Sequence, residues 1–171
     1  MRNIFLIGYM GTGKSTIATH MAKQYGMEVL EMDEMLVTQE EMSISDIFAK
    51  HGEVYFRDAE MRLLRAICMQ DNKIVSCGGG VVLRQQNVDE MRNSGRIVLL
   101  TARPETILGR VEYDNSRPLL EGNKTIAFIQ EMVETRREKY ESASDIMVQT
   151  DEKSVVDICD EIIQKIKEME E

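Results

Sequence analysis

Ile4-Phe5-Leu6-Ile7-Gly8-Tyr9-Met10-Gly11-Thr12-Gly13-Lys14-Ser15-Thr16 joins an apolar run to a glycine-rich turn and then to the first residues of a helical pattern. The spacing Gly-x-x-x-x-Gly-Lys-Ser has physical meaning only there, as the turn between a buried strand and a helix N-terminus. In that setting successive backbone N–H groups form an anion-binding concavity, and the helix dipole adds roughly half a positive charge. Gly8, Gly11 and Gly13 let the backbone curl around a phosphate without Cβ clashes. Lys14 is placed to reach the β- and γ-phosphates, and the Ser15 hydroxyl to ligate Mg²⁺. A turn that merely happens to contain Lys-Ser would leave both flanking patterns unexplained. The loop reads as a cradle for a nucleoside triphosphate.

Outward from the loop, apolar runs alternate with helical patterns, as a parallel sheet with crossover helices requires. Strands are predicted at Asn3–Ile7, Glu28–Glu31, Lys73–Ser76, Arg96–Leu100 and Asp145–Val148. Helices are predicted at Lys14–Tyr25, Ser45–His51, Val54–Met69, Asn87–Asn93, Pro104–Val111, Lys124–Ser142 and Ser154–Met169. Gly26 follows the first helix as a C-cap, Ser43 and Ser45 offer N-caps, and Pro104 suits a first helical turn. Leu63, Leu64, Ile67 and Cys68 recur at helical spacing and read as core. The 13 methionines are scattered through helices, which points to adaptable core filler rather than a metal or cofactor box.

With 171 residues the chain suits one α/β domain with a substantial core, and two ordinary domains would not fit. A net charge of −9 argues against nucleic acid and anionic membrane as partners, because phosphate polymers need a basic footprint. Part of the acidic excess, from Asp151 to Glu171, reads as the solvated face of a last helix. Cys68, Cys77 and Cys159 form no metal-type or disulfide-type spacing. The N-terminal run is too short for a signal peptide, and no run approaches a membrane span, so a cytoplasmic protein is expected.

Several further stretches carry chemistry. Glu31 and Asp33 leave the end of the second strand, where α/β proteins bind ligands. Asp33 is placed to orient an attacking hydroxyl and accept its proton, and Glu31 to support Mg²⁺ through water; a first-turn carboxylate that only stabilises the next helix is the plainer reading. Arg57 and Glu60 share a helix face, so they form an intrahelical ion pair or leave the guanidinium for a substrate carboxylate. Gly78-Gly79-Gly80 after a buried strand suggests backbone pressed against a ligand, a plain tight turn being the alternative, with Ser76 at the strand end near the metal position. Arg110, Arg117 before Pro118, and Arg136 complete the set, although each alone reads as a solvated arginine. The polar interval from Arg110 to Thr125 is where a mobile lid is expected.

Taken in order, Gly8–Thr16, Asp33, Phe56-Arg57 with Glu60, Gly78-Gly79-Gly80, Arg117-Pro118-Leu119-Leu120, and Arg136 with Tyr140 resemble the shikimate kinase family over nearly the whole chain. The resemblance implies a three-layer P-loop α/β fold of the nucleoside-monophosphate-kinase type with a five-stranded parallel sheet. It implies a single domain, residues 1–171, with a shikimate-binding region at about 32–61 and a lid at about 112–124. It also implies Mg²⁺-dependent transfer of the ATP γ-phosphate to the shikimate 3-hydroxyl, a step of chorismate and aromatic amino acid biosynthesis, by a monomer whose partners are these small molecules.

By the same resemblance Gly11, Thr12, Gly13, Lys14, Ser15, Thr16, Arg110 and Arg117 meet the nucleotide, and Ser15 the metal. Asp33, Arg57, Gly79 and Arg136 meet shikimate, with Lys14, Asp33 and Arg117 taking part in catalysis. Glu31 departs from the family's usual aspartate. The rival expectations are another small-molecule kinase, of the gluconate kinase kind, and a non-catalytic nucleotide-binding regulator; neither accounts as well for Asp33, Arg57, Arg136 and Arg117 together.

Overall fold

The computed structural model describes residues 1–111 and 125–171. In chain order the elements are β1 (Asn3–Ile7), α1 (Lys14–Tyr25), β2 (Glu28–Glu31), α2 (Met32–Glu40), α3 (Ile44–Cys68), β3 (Lys73–Ser76), a 3₁₀ turn (Val81–Leu83), α4 (Gln85–Ser94), β4 (Gly95–Thr101), α5 (Pro104–Val111), α6 (Ile126–Ala143), β5 (Ile146–Gln149) and α7 (Val155–Glu170). The strands form the expected five-stranded sheet, in the order β2-β3-β1-β4-β5, and every pairing is parallel.

Strand alternation builds the layers. Phe5, Ile7, Ile97 and Leu99 point to one face, where α3, α4, α5 and α6 bring Leu64, Val88, Ile107 and Ile129. Ile4, Leu6, Val98, Leu100 and Val148 point to the other, against Ile17 and Met21 of α1 and Ile158 and Ile162 of α7. Because β1 lies between β3 and β4, its neighbours' crossovers diverge at its C-terminal end and leave a crevice. The glycine-rich loop stands in that crevice.

Local signals mostly land where the sequence placed them. Gly26 ends α1 in the left-handed region, Ser43 caps α3 by accepting from the Asp46 N–H, and Pro104 opens α5. The predicted helices at 45–51 and 54–69 run on as α3, broken in direction at Gly52 (φ 83°, ψ 172°). One helix, α2, was not predicted. The Lys124 start of the sixth predicted helix lies outside the described residues; α6 begins at Ile126, with Thr125 accepting from the Phe128 N–H. Asp151 is not on a solvated face. It is buried at the end of β5, where it accepts from the Arg103 backbone N–H, the Thr106 hydroxyl and the Gln149 amide. The methionine reading holds for Met21, Met32 and Met91, which are fully buried, and fails for Met69 and Met147, which are exposed.

Candidate active site

The phosphate loop is built by three positive φ angles, at Gly8 (142°), Gly11 (78°) and Gly13 (100°). A Cβ at Gly8 would stand 2.4 Å from the Leu100 carbonyl oxygen, so this glycine also sets how closely the loop approaches β4. The Lys14 ammonium donates to the carbonyls of Gly8 at 2.7 Å and Tyr9 at 3.1 Å. The Thr12 hydroxyl donates to the Tyr9 carbonyl at 2.8 Å. The loop thus holds its own cation over the concavity formed by its backbone. Arg110, from α5, donates to the Gly11 carbonyl at 2.9 Å and to Thr150 Oγ1 at 3.2 Å, while that threonine hydroxyl reaches the Thr12 carbonyl at 3.1 Å.

Beside the loop, three oxygen donors converge from three elements. Ser15 Oγ donates to Glu31 Oε2 at 3.0 Å and lies 3.4 Å from Ser76 Oγ. Burial pushes the Glu31 carboxyl above its ordinary range, against the pull of its bonds to Ser76 and Ser15, and the nearby Glu34 and Asp33 charges push the same way as burial. Hard oxygen donors around a phosphate loop fit the habit of Mg²⁺, which keeps waters and relies on substrate phosphates for its remaining ligands. The longer arm of Glu31 is what reaches Ser15.

Asp33, in the first turn of α2, faces the triple-glycine segment. A Cβ at Gly78 would stand 3.1 Å from Asp33 Oδ1 and 2.9 Å from Glu60 Oε2. At Gly80 it would stand 2.3 Å from the Arg57 guanidinium, and at Gly79 3.5 Å from that of Arg136. At Gly78 and Gly80 a side chain would displace the ends of this chain's own charged side chains, whereas at Gly79 the distance is an ordinary contact. Arg57 and Glu60 form the intrahelical ion pair that their spacing suggested. They pair at 3.1 Å, and both line a narrow cavity of about 60 Å³ with Asp33, Gly79 and Arg136. Arg57 and Arg136 are only 8% and 7% exposed, and Glu60 not at all. Burial pushes the Glu60 carboxyl up and the Arg57 guanidinium draws it back down.

Arg57 and Arg136 bring two guanidiniums to this cavity, whose lining also carries the carboxylates of Glu60 and Asp33. Tyr140 seals the arrangement from behind by donating its hydroxyl to the Gly79 carbonyl. Met10, Asp33 and Gly79 line both this cavity and a wider cleft of about 490 Å³ that runs along Gly11, Gly13, Lys14, Ser15, Thr16 and Arg110. Two sites therefore meet at a common wall.

Of the sequence candidates, all but Arg117 are brought to these two connected spaces or to the loop between them; Arg117 and the lid at about 112–124 lie outside the described residues. Sequence reasoning missed Met10, Phe48 and Ile44 as wall residues and Thr150 as the link from β5 to the loop. Phe48 packs on Phe56 with the rings tilted and their centroids 4.7 Å apart, and nothing in an apolar residue's local pattern separates a cavity wall from core.

A family model described as shikimate kinase matches residues 10–167. A shikimate kinase of Dehalococcoides mccartyi is 38% identical over 98% of this chain and 95% of its own length. One of Bacillus mycoides is 39% identical over 98% and 100%. The solved shikimate kinase from Acinetobacter baumannii in complex with shikimate superposes with a TM-score of 0.93 at 28% identity, covering 98% of this chain and 94% of that one. A gluconokinase from Sinorhizobium meliloti shares the fold at a TM-score of 0.62 and 15% identity, covering 98% and 93%.

Proposed function

The chain belongs to the shikimate kinase family, and from that premise we infer that it transfers the γ-phosphate of ATP to shikimate, giving shikimate 3-phosphate and ADP in the biosynthesis of aromatic compounds. The observation that carries this reading is the shared wall of Met10, Asp33 and Gly79 between a phosphate-binding cleft and a cavity holding two buried guanidiniums. The cavity is too narrow for a whole six-membered ring acid. Its carboxylate would enter between Arg57 and Arg136 while the hydroxyl-bearing edge projects towards the cleft.

In this reading the backbone N–H groups of Gly11, Thr12 and Gly13, with Lys14, Ser15 and Thr16, hold the phosphates, and Arg110 lies beside the base. Bound Mg²⁺ would be held by Ser15, with Glu31 and Ser76 behind it, and would neutralise phosphate charge. Asp33 orients the acceptor hydroxyl and takes its proton as the O–P bond forms. Lys14 stabilises charge on the oxygens of the transferring group. Arg57 and Arg136 grip the substrate carboxylate, each with a planar fork that an ammonium would not match. Glu60 fixes the Arg57 fork.

The lid at about 112–124, with Arg117 reaching the nucleotide, and the shikimate-binding region at about 32–61 belong to the same proposal. So do a monomeric state and a cytoplasmic location; among the described residues no helix is long and apolar enough to cross a membrane.

A coupled assay with ATP and Mg²⁺ tests the reading against shikimate, gluconate and nucleoside monophosphates. Turnover confined to shikimate supports it. Turnover with gluconate at comparable kcat/KM, or none with shikimate, overturns it.

A further inference from the structure

Arg110 is an exposed residue in the last turn of α5, yet one of its terminal nitrogens, Nη1, has two acceptors: the Gly11 carbonyl at 2.9 Å and Thr150 Oγ1 at 3.2 Å. That nitrogen carries two hydrogens, and both N–H bonds lie in the plane of the guanidinium. Two acceptors at one nitrogen therefore define the plane. With the Gly11 carbonyl alone, the flat group would be free to turn about a single hydrogen bond. Thr150 removes that freedom.

Thr150 is itself held firmly. It is 2% exposed, and its backbone N–H donates to the Thr101 carbonyl of β4 at 2.8 Å. The single hydrogen of its hydroxyl is offered to the Thr12 and Thr101 carbonyls, each 3.1 Å away, so the lone pairs are left for a donor, and a guanidinium is a donor only. The next residue, Asp151, accepts from the Arg103 N–H and the Thr106 hydroxyl at the start of α5. Thr106 and Arg110 are one helical turn apart, so the end of β5 is tied to the same helix that carries the guanidinium.

Arg110 lines the nucleotide cleft with Gly11, Gly13 and Thr16. A planar, delocalised cation offers an aromatic base a stacking surface only when its flat face is turned to the base, and a long side chain on the surface loses rotamer freedom in keeping it there. We propose that Thr150 is a positioning residue for nucleotide binding: its hydroxyl fixes the plane of Arg110 for the base, and so sets the affinity for ATP through Arg110 and not through the phosphates. The proposal rests on the reading that Arg110 lies beside the base, and on nothing about the acceptor.

Titration calorimetry on the full chain tests this without turnover, using two probes with Mg²⁺: a non-hydrolysable ATP analogue, and inorganic tripolyphosphate, which has the phosphates and no base. Thr150→Val keeps the shape and removes the hydroxyl. It should weaken the analogue about five-fold, the scale of one neutral hydrogen bond, and leave tripolyphosphate unchanged. Thr150→Ser keeps the hydroxyl and should bind both probes as the parent does. Arg110→Ala should bind the analogue more weakly from the start, and adding Thr150→Val to it should cost nothing further, because the hydroxyl then has no guanidinium to orient. In turnover, Thr150→Val should raise the KM for ATP about five-fold with kcat and the KM for the acceptor hardly moved, the pattern of lost ground-state binding. Should the valine variant not fold, Thr150→Ala gives the same comparison with a smaller side chain. Equal weakening of both probes, a loss that persists in full beside Arg110→Ala, or a serine variant as weak as the valine one each overturns the proposal and makes Thr150 a strut of the loop. Analogue binding unchanged in Arg110→Ala overturns the placement of Arg110 beside the base. Unchanged binding in Thr150→Val next to a weakened Arg110→Ala overturns the proposal alone.

Discussion

Lys14 is the single side chain on which the proposed chemistry leans most. Its ammonium is already held by the Gly8 and Tyr9 carbonyls, so it does not have to be reorganised when phosphate charge develops. Lys14→Met keeps the buried stem and removes the charge. We expect kcat to fall at least ~100-fold, the usual scale for losing one preorganised electrostatic contact, with a melting temperature close to the parent's. A variant turning over within a few-fold of the parent would sink the role given to this loop. Glu31 gives the opposite relation between function and stability. Its carboxyl is raised above 4.5, so between that value and the raised one the folded chain holds a proton that the unfolded chain has released. Stability therefore falls as pH climbs through this window, and the ionised form is disfavoured above it. Glu31→Gln keeps an acceptor for Ser15 and discards the charge. It should melt higher than the parent at neutral pH, converge with it in acid, and lose Mg²⁺-dependent activity. A lower melting temperature at neutral pH would show that the charge itself holds the strand end together.

At the scale of elements, Gly52 matters most for the acceptor cavity. It turns α3 so that its first limb carries Ile44 and Phe48 to the cavity and its second carries Phe56, Arg57 and Glu60. The bend is braced by Tyr55, whose hydroxyl donates to Glu40 of α2 at 2.6 Å and whose ring stacks on His51 at 4.3 Å. A Cβ at Gly52 meets nothing within 4 Å, so the only penalty for Gly52→Ala is its backbone conformation, one that L-residues rarely adopt. We expect a loss of ~1–3 kcal/mol, and a KM for shikimate raised well above any change for ATP, because only the acceptor wall is displaced. Matching changes in both KM values would place the effect in global folding instead. The same element shows what sequence could and could not supply. Serine caps and apolar spacing gave both limbs of α3 and the break between them. α2 was missed because it is short, follows β2 without a turn, and has only Met32 and Leu36 as fully buried anchors, too few for a helical period to emerge. Asp151 was misread because acidic composition near a helix looks like a solvated face until Arg103, Thr106 and Gln149 are seen to converge on it.

Across the whole molecule, a chain of net charge −9 gathers Lys14, Arg57, Arg110 and Arg136 around two connected spaces, so its anion-binding capacity is local. Lys14 was legible from the loop spacing, whereas Arg57, Arg110 and Arg136, all on helices, were singled out together by the resemblance to a known family. The wall residues Met10, Phe48 and Ile44 were not, because an apolar side chain shows its role only when the sheet brings loops of distant sequence together. The common wall has a consequence for how the molecule responds to its ligands. Met10, Asp33 and Gly79 belong to both spaces, so a ligand that orders them for one site lowers the ordering cost for the other. Each ligand alone, at 100 times its Kd, should stabilise the fold by ~2.7 kcal/mol. For a chain of this length that corresponds to a rise in Tm of about 5–11 °C. We expect shikimate and a non-hydrolysable ATP analogue with Mg²⁺, added together, to raise the melting temperature by clearly more than the sum of their separate shifts. The same coupling must appear reciprocally in titration calorimetry, as a tighter Kd for each ligand in the presence of the other by one common factor. Additive thermal shifts together with unchanged dissociation constants would mean that the two sites are thermodynamically separate and that the common wall is rigid before either ligand arrives.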